Sequence, residues 1–328
     1  MKRKMKQTEA FSKGKIQTVK GLLSKEKLGY CQCHEHLFLS KGESFRLNPA
    51  LWMDDSEKTI KELEAYRILG GKSIVDAQPG GCGRMAGKLL EASSKSNINI
   101  IASTGFHKLC FYPDKHPVRE LKTAVLTELF ISEIREGMHI SDSLDTGIKT
   151  DAKAGVIKTA LDIDGLEGRY KDLFKAALQA SAETGVPILC HIEKGSDFLN
   201  ALKFFSKNGV LSDNVIACHL DRAVHDINIH KEAAKFGIYL EYDTIARPKY
   251  HTDRQEIELI MAMVDAGFEK SILLGLDTNR ERLKSYGGST GLDYILANFI
   301  PEMKSSGIPE QTIANLTTVN PGCALAIK

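Results

Sequence analysis

Eight short apolar runs recur along the chain: YCQCHEHLFL, KSIVDAQ, NINIIASTG, AGVIKTA, VPILCHI, NVIACHL, IYLEYDT and SILLGLDT. Each is short, rich in β-branched residues and nearly continuous in its hydrophobicity, the pattern of a strand buried on both faces. Between them lie amphipathic stretches such as SEKTIKELEAYRILGG, RYKDLFKAALQASAETG and DRQEIELIMAMVDAG, which predict helices. Several of these close on glycine: Gly70 and Gly71, Gly185, Gly237 and Gly267 stand where a left-handed C-cap is expected. Strands alternating with helices give a parallel sheet covered by helices. Eight such units predict an α/β fold of the closed (β/α)8 (TIM) barrel type, and no G-x-G-x-x-G or P-loop follows any strand to favour an open sheet. KIQTVKGLLSKEKLGY predicts a short N-terminal hairpin, and TGLDYILANFIPEMKSSG with PEQTIANLTTVNPGCALAI predicts C-terminal closing helices. With no linker or low-complexity segment, residues 1–328 read as a single domain. The longest connection, 110–152, is the expected lid or oligomer contact.

The 328 residues carry 44 basic and 42 acidic side chains, so bulk charge points neither to nucleic acid nor to an anionic membrane. The basic excess is local, with six Lys or Arg in the first fifteen residues, and residues 1–15 are expected to form a disordered basic terminus. No apolar run follows it as in a secretory leader, and no stretch reaches the roughly 18 apolar residues of a membrane span. Seven scattered cysteines, an odd number, suit a reducing compartment, so a cytoplasmic location is expected.

CQCHEH places four soft-metal ligands in six positions: Cys31, Cys33, His34 and His36. On a regular strand Cys31 and Cys33 share one face and His34 and His36 the other. The expectation is that the two histidines line the site while the cysteines pack against the helix layer. A four-ligand Cys2His2 cluster would need ligands from both faces. Later strands also end on strong ligands: Lys158 in AGVIKTA, His191 in ILCHIE, His219 in IACHLD and Asp277 in LLGLDT. In a barrel these ends form one mouth, and His with carboxylate suits zinc or a similar borderline divalent ion.

Taken in order, TVKGLLSKEKLGYCQCHEHLF, AGVIKTA, CHIEKG, ACHLDR and GLDTNR resemble the phosphotriesterase-like family of the amidohydrolase superfamily. The match runs from about residue 17 to NPGCALA near the end. The resemblance implies a binuclear centre, with His34, His36 and Asp277 on the more buried ion and His191 and His219 on the more exposed one. It also implies that Lys158, carboxylated by CO2, bridges the two ions. Zinc is the expected metal, with manganese or cobalt as alternatives. The implied reaction is hydrolysis by a metal-bridging hydroxide, with Asp277 moving the proton to the leaving group. GLDTNR departs from many relatives in the residue beside the aspartate, which bears on substrate contacts.

Arg222, Arg247, Lys249, Arg280 and Arg282 follow the metal strands, and fixed guanidinium groups favour a phosphate or carboxylate. His107, Lys108 and Tyr112, after the third strand, are further candidates to line the pocket. STGFHKLCFYPDKHP, ACHLDR, YDTIARPKY and GLDTNRERLKSYGG together resemble the branch of that family acting on phosphorylated furanose lactones. That resemblance implies a small-molecule sugar phosphate lactone as substrate. A homodimer is allowed. The alternatives are a phosphotriesterase or another lactonase on the same scaffold and, from a different class, a catalytically silent binding barrel.

Overall fold

The computed structural model describes residues 13–144 and 147–328. Most of the basic arm expected at 1–15 lies outside the described residues. Lys15 already opens a strand, and the Gly14 N–H donates to the Ile327 carbonyl at 2.8 Å. That strand, β1 (Lys15–Thr18), pairs antiparallel with β2 (Gly21–Ser24) to form the expected hairpin.

Eight parallel strands follow, one from each apolar run: β3 (Cys31–Glu35), β4 (Ser73–Asp76), β5 (Asn99–Gly105), β6 (Ala154–Leu161), β7 (Ile188–Ile192), β8 (Val215–Cys218), β9 (Tyr239–Tyr242) and β10 (Ile272–Leu274). They pair in sequence order from β3 to β10, as a (β/α)8 barrel requires. The expected helices span Ser56–Ile68, Gly168–Thr184 and Asp253–Asp265. Gly70, Gly185, Gly237 and Gly267 all take left-handed backbone, but Gly71 does not. Its lack of a side chain serves packing instead, because a Cβ there would lie against the Tyr66 ring.

The seam between β10 and β3 is closed largely by side chains. The Asp277 N–H donates to the His34 carbonyl at 2.9 Å. The buried Glu35 carboxylate accepts from the Leu276 N–H (2.9 Å), the Thr278 N–H (3.2 Å) and the Thr278 hydroxyl (2.7 Å). Gly275 lets the two strands approach, since a Cβ there would stand 3.0 Å from His34 Cβ.

Two apolar clusters divide the core. The outer one packs alternate barrel residues, such as Ile74, Ile100, Ile157 and Ile188, against the helices. The inner one takes the opposite parity: Val75, Ile101, Val156, Leu189, Ile216 and Leu273 fill the lumen. Ile16 of the hairpin and Ala324–Ala326 at the C-terminal end belong to the same cluster and plug its floor. Cys31 and Cys33 fall in this inner cluster, not against the helices as simple alternation predicts. The reason is a register shift between Gln32 and Glu35, which breaks strict alternation within β3.

The 110–152 connection is held down at several points. Glu133, on its helix Thr123–Arg135, forms a buried ion pair with Arg84 at 2.5 Å. The Asp142 carboxylate accepts from the Ser40 hydroxyl and the Gly81 and Gly83 N–H groups.

Candidate metal centre

All six ligand candidates meet at the C-terminal mouth of the barrel. His34 lies near the end of β3 and His36 follows the strand; Lys158 lies on β6 and His191 on β7; His219 directly follows β8, and Asp277 stands just beyond β10. Donor atoms of His34, His36 and Asp277 fall within 4.8 Å of one another. Asp277 Oδ1 stands 3.3 Å from His36 Nε2 and 3.9 Å from His34 Nε2. The His219 ring centroid is 4.6 Å from those of both His34 and His191. Lys158 Nζ, fully buried, is 3.3 Å from His34 Nε2. Backbone strain marks two of the six: His219 (φ 62°) and Asp277 (φ 50°) adopt left-handed conformations, which side-chain-bearing residues enter at a cost.

The electrostatics suit a cation. Burial and then the Lys158 charge hold the His34 imidazole well below its ordinary range. Burial and then Arg222 do the same for His219, and burial lowers His191 to about 4. Neutral imidazoles are what a metal requires. The far nitrogens are tied down: His34 Nδ1–H donates to Glu241 Oε2 at 2.7 Å, and His219 Nδ1–H to Asp243 Oδ1 at 2.7 Å. These bonds leave both Nε2 atoms as donors to a metal. Glu241 and Asp243 are fully buried, and sequence reasoning missed them. Their signal was present as two carboxylates at i, i+2 near the end of an apolar strand, the same spacing as the histidines. Replacing Glu241 with methionine is expected to weaken zinc affinity about 10- to 100-fold, measured by competition with a chelator. Unchanged affinity would mean that Asp243 alone, whose Oδ2 lies 3.4 Å from His34 Nδ1, orients the ring.

The basic residues separate into two groups. Arg222 and Arg247 grip Asp277 itself, with Nη1 atoms 2.8 and 3.1 Å from Oδ2. Burial alone would raise the Asp277 carboxyl, but Arg247 and then Arg222 hold it well below the usual carboxylate range. Arg282 is buried and donates to the Ile245 and Leu276 carbonyls, so it braces the β9 and β10 loops. The second group has no ion-pair partner among the described residues. Arg280 lies over the Trp52 ring (5.0 Å) near Tyr286 (6.0 Å), and Lys41 Nζ is 5.1 Å from the same Trp52 ring. Lys249 is exposed beside Tyr250.

His107 reaches the centre, its ring 5.2 Å from His191. Tyr112 is buried, and its hydroxyl accepts the His107 N–H at 2.9 Å and so supports that loop. Lys108 pairs with Glu193 at 2.7 Å, and Glu193 Oε2 sits 3.3 Å from His191 Nε2.

Comparison with known proteins identifies the family. The chain is 31% identical over 321 residues to a phospho-furanose lactonase from Mycoplasmopsis synoviae (strain 53), covering 94% of this chain and 91% of that one. The crystal structure of an amidohydrolase from Mycoplasma synoviae superposes with a TM-score of 0.91 at 29% identity, over 97% of this chain and 93% of the other. A lactonase from Listeria monocytogenes gives 0.87 at 26% identity, over 96% and 99%. With the phosphotriesterase family model matching residues 14–325, the chain belongs to the phosphotriesterase family and is a metal-dependent hydrolase.

Proposed function

We propose that the protein opens a phosphorylated furanose lactone, using two divalent ions held by His34, His36, Lys158, His191, His219 and Asp277. The observation that carries the substrate class is the pair of unpaired cations, Arg280 and Lys41, over Trp52. They stand on the loops that follow β10 and β3, which also carry Asp277 and His36, as a seat for a phosphate would. A neutral phosphotriester gives no reason for such charges, and a silent barrel gives none for six converging ligands. The relatives named as lactonases support the same reading. Zinc is the metal that best suits this His-rich donor set, with manganese or cobalt as alternatives. Lys158 is buried without a carboxylate partner among the described residues, and reaction of its amine with CO2 would replace a costly buried cation with a bidentate ligand.

When bound, the ions supply an acidified water and an electrophile for the lactone carbonyl oxygen. The chain supplies the proton handling. Asp277 Oδ1 faces the imidazoles while Arg222 and Arg247 occupy Oδ2, so in this state it is ionised and a weak base. Negative charge developing on the carbonyl oxygen competes for the two guanidinium groups. As they turn toward it, Asp277 regains basicity, takes the proton from the attacking water and passes it to the ring oxygen that leaves. His107, beside His191, lines the approach.

A cytoplasmic enzyme fits seven unpaired cysteines, and no helix among the described residues is long and apolar enough to cross a membrane. A homodimer through the 110–152 connection, where Ile140 and Ile148 are exposed, belongs to the same proposal. The test is turnover by metal-reconstituted protein on matched lactones with and without the phosphate. The phosphorylated one is expected to be favoured about 10²-fold in kcat/KM. Equal turnover of both, or faster hydrolysis of a phosphotriester, would overturn the substrate assignment.

A further inference from the structure

A second group of metal donors lies outside the six-residue centre. Asp221 sits on the short helix Leu220–Ala223, His251 on the loop after β9, and Glu256 in the first turn of the helix Asp253–Asp265. One donor atom from each lies within 4.8 Å of the other two. His251 Nε2 is 2.9 Å from Glu256 Oε2 and 3.7 Å from Asp221 Oδ2. Donors sharing one ion at about 2.1 Å in tetrahedral geometry stand roughly 3.4 Å apart, so the spacing needs little adjustment.

The hydrogen bonding points the same way. Glu256 is 1% exposed, yet neither of its oxygens has an aligned hydrogen bond, and His251 Nε2 is likewise without one. The 2.9 Å approach of His251 to Glu256 is therefore an ion-pair distance without hydrogen-bond direction. The hydroxyl of Thr244, whose N–H donates to Asp221 Oδ2 at 2.7 Å, is a fourth buried polar atom with no partner. Buried polar atoms are nearly always satisfied, so four in one patch call for a ligand. His251 Nδ1–H donates to the Thr252 carbonyl at 3.3 Å. Burial works against a charged ring, but Asp221 and Glu256 raise the imidazole to about 10, so an ion would take the place of the Nε2 proton. Asp221 Oδ2 retains a lone pair beyond the one that accepts Thr244. Once that proton leaves, two carboxylates and an imidazole carry a charge that one divalent ion cancels.

We propose that Asp221, His251 and Glu256 form a further divalent-cation site, separate from the catalytic centre, for zinc or a similar borderline ion. The His251 side chain is 14% exposed, which gives the ion an entry path and a water as its fourth ligand. The site ties the loop bearing Arg247 to the end of β8 and to the start of the Asp253–Asp265 helix. Arg247 is one of the two residues that grip Asp277, so the ion would anchor the loop from which that guanidinium works, without touching substrate.

Zinc alone is the probe. In crystals of the full chain saturated with zinc, an anomalous peak is expected among the three residues. It should persist in Lys158→Ala, which disrupts the catalytic centre, and disappear in Glu256→Gln. His251→Gln, a change in a partly exposed loop, serves if Glu256→Gln fails to fold. Zinc content should fall by one ion per chain in either variant, whatever number the catalytic centre holds. No peak in zinc-saturated wild-type crystals would overturn the site and leave an imidazolium held between two carboxylates.

Discussion

Lys158→Ala is expected to lose bound metal and turnover together, the latter by roughly 10³-fold, more than the 10- to 100-fold typical of groups that only orient a ligand. Lys158 has no exposed surface, and its amine sits 3.3 Å from His34 Nε2 at the floor of the mouth. An ammonium there, without a carboxylate, would cost several kcal/mol. It would also repel the cations the six donors are arranged to hold. As a carbamate the same side chain would be anionic and would offer two oxygens in place of a buried cation. Alanine would remove the proposed bridging ligand and leave a cavity about the size of a short carboxylic acid. Adding formate, acetate or propionate should then restore part of both metal content and rate, with the circular dichroism spectrum unchanged throughout. Full metal occupancy and normal rate in the unrescued variant would show that Lys158 is a buried structural amine.

Arg280→Met should lower kcat/KM for a phosphorylated lactone by roughly 30- to 1000-fold. This corresponds to about 2–4 kcal/mol for a charge-assisted, two-pronged contact to a dianion. The Arg280 guanidinium is pre-positioned over Trp52 and has no carboxylate partner among the described residues, so little is spent in freeing it. Methionine keeps the apolar stem against Trp52, which separates loss of charge from loss of packing. The unphosphorylated lactone never makes the contact, so its slow hydrolysis should hardly change. Equal loss on both substrates would indicate damage to the metal centre, and no loss on either would remove Arg280 from the phosphate seat.

The barrel was legible because each strand is buried on both faces and ends abruptly at a polar ligand or glycine. The candidate ligands stood out for a related reason: His34, His36, Lys158, His191, His219 and Asp277 break apolar runs at their C-terminal ends. Four features were not legible. The shift between Gln32 and Glu35 turns Cys31 and Cys33 into the lumen, and nothing in CQCHEH announces it. Glu241 and Asp243 carried the right spacing, but their use depends on His34 and His219, which are more than twenty residues away in sequence. The basic rim divided in a way that needed distances. Arg222 and Arg247 are committed to Asp277, Arg282 to backbone carbonyls, and Tyr112 is buried and supports the His107 loop, whereas Arg280 stays unpaired. Lys41, which shares Trp52 with Arg280, drew no notice because a lone lysine after a strand is ordinary.

The most direct measurement is a crystal structure of the protein grown with ample zinc and bicarbonate, with anomalous data collected at the zinc edge. Two ions are expected within reach of the six donors, at about 2.0–2.3 Å from His34, His36, His191, His219 and Asp277. Three extra atoms of density should extend from Lys158 Nζ, with one oxygen toward each ion. A single ion, or two ions with a bare amine on Lys158, would contradict the bridged binuclear centre.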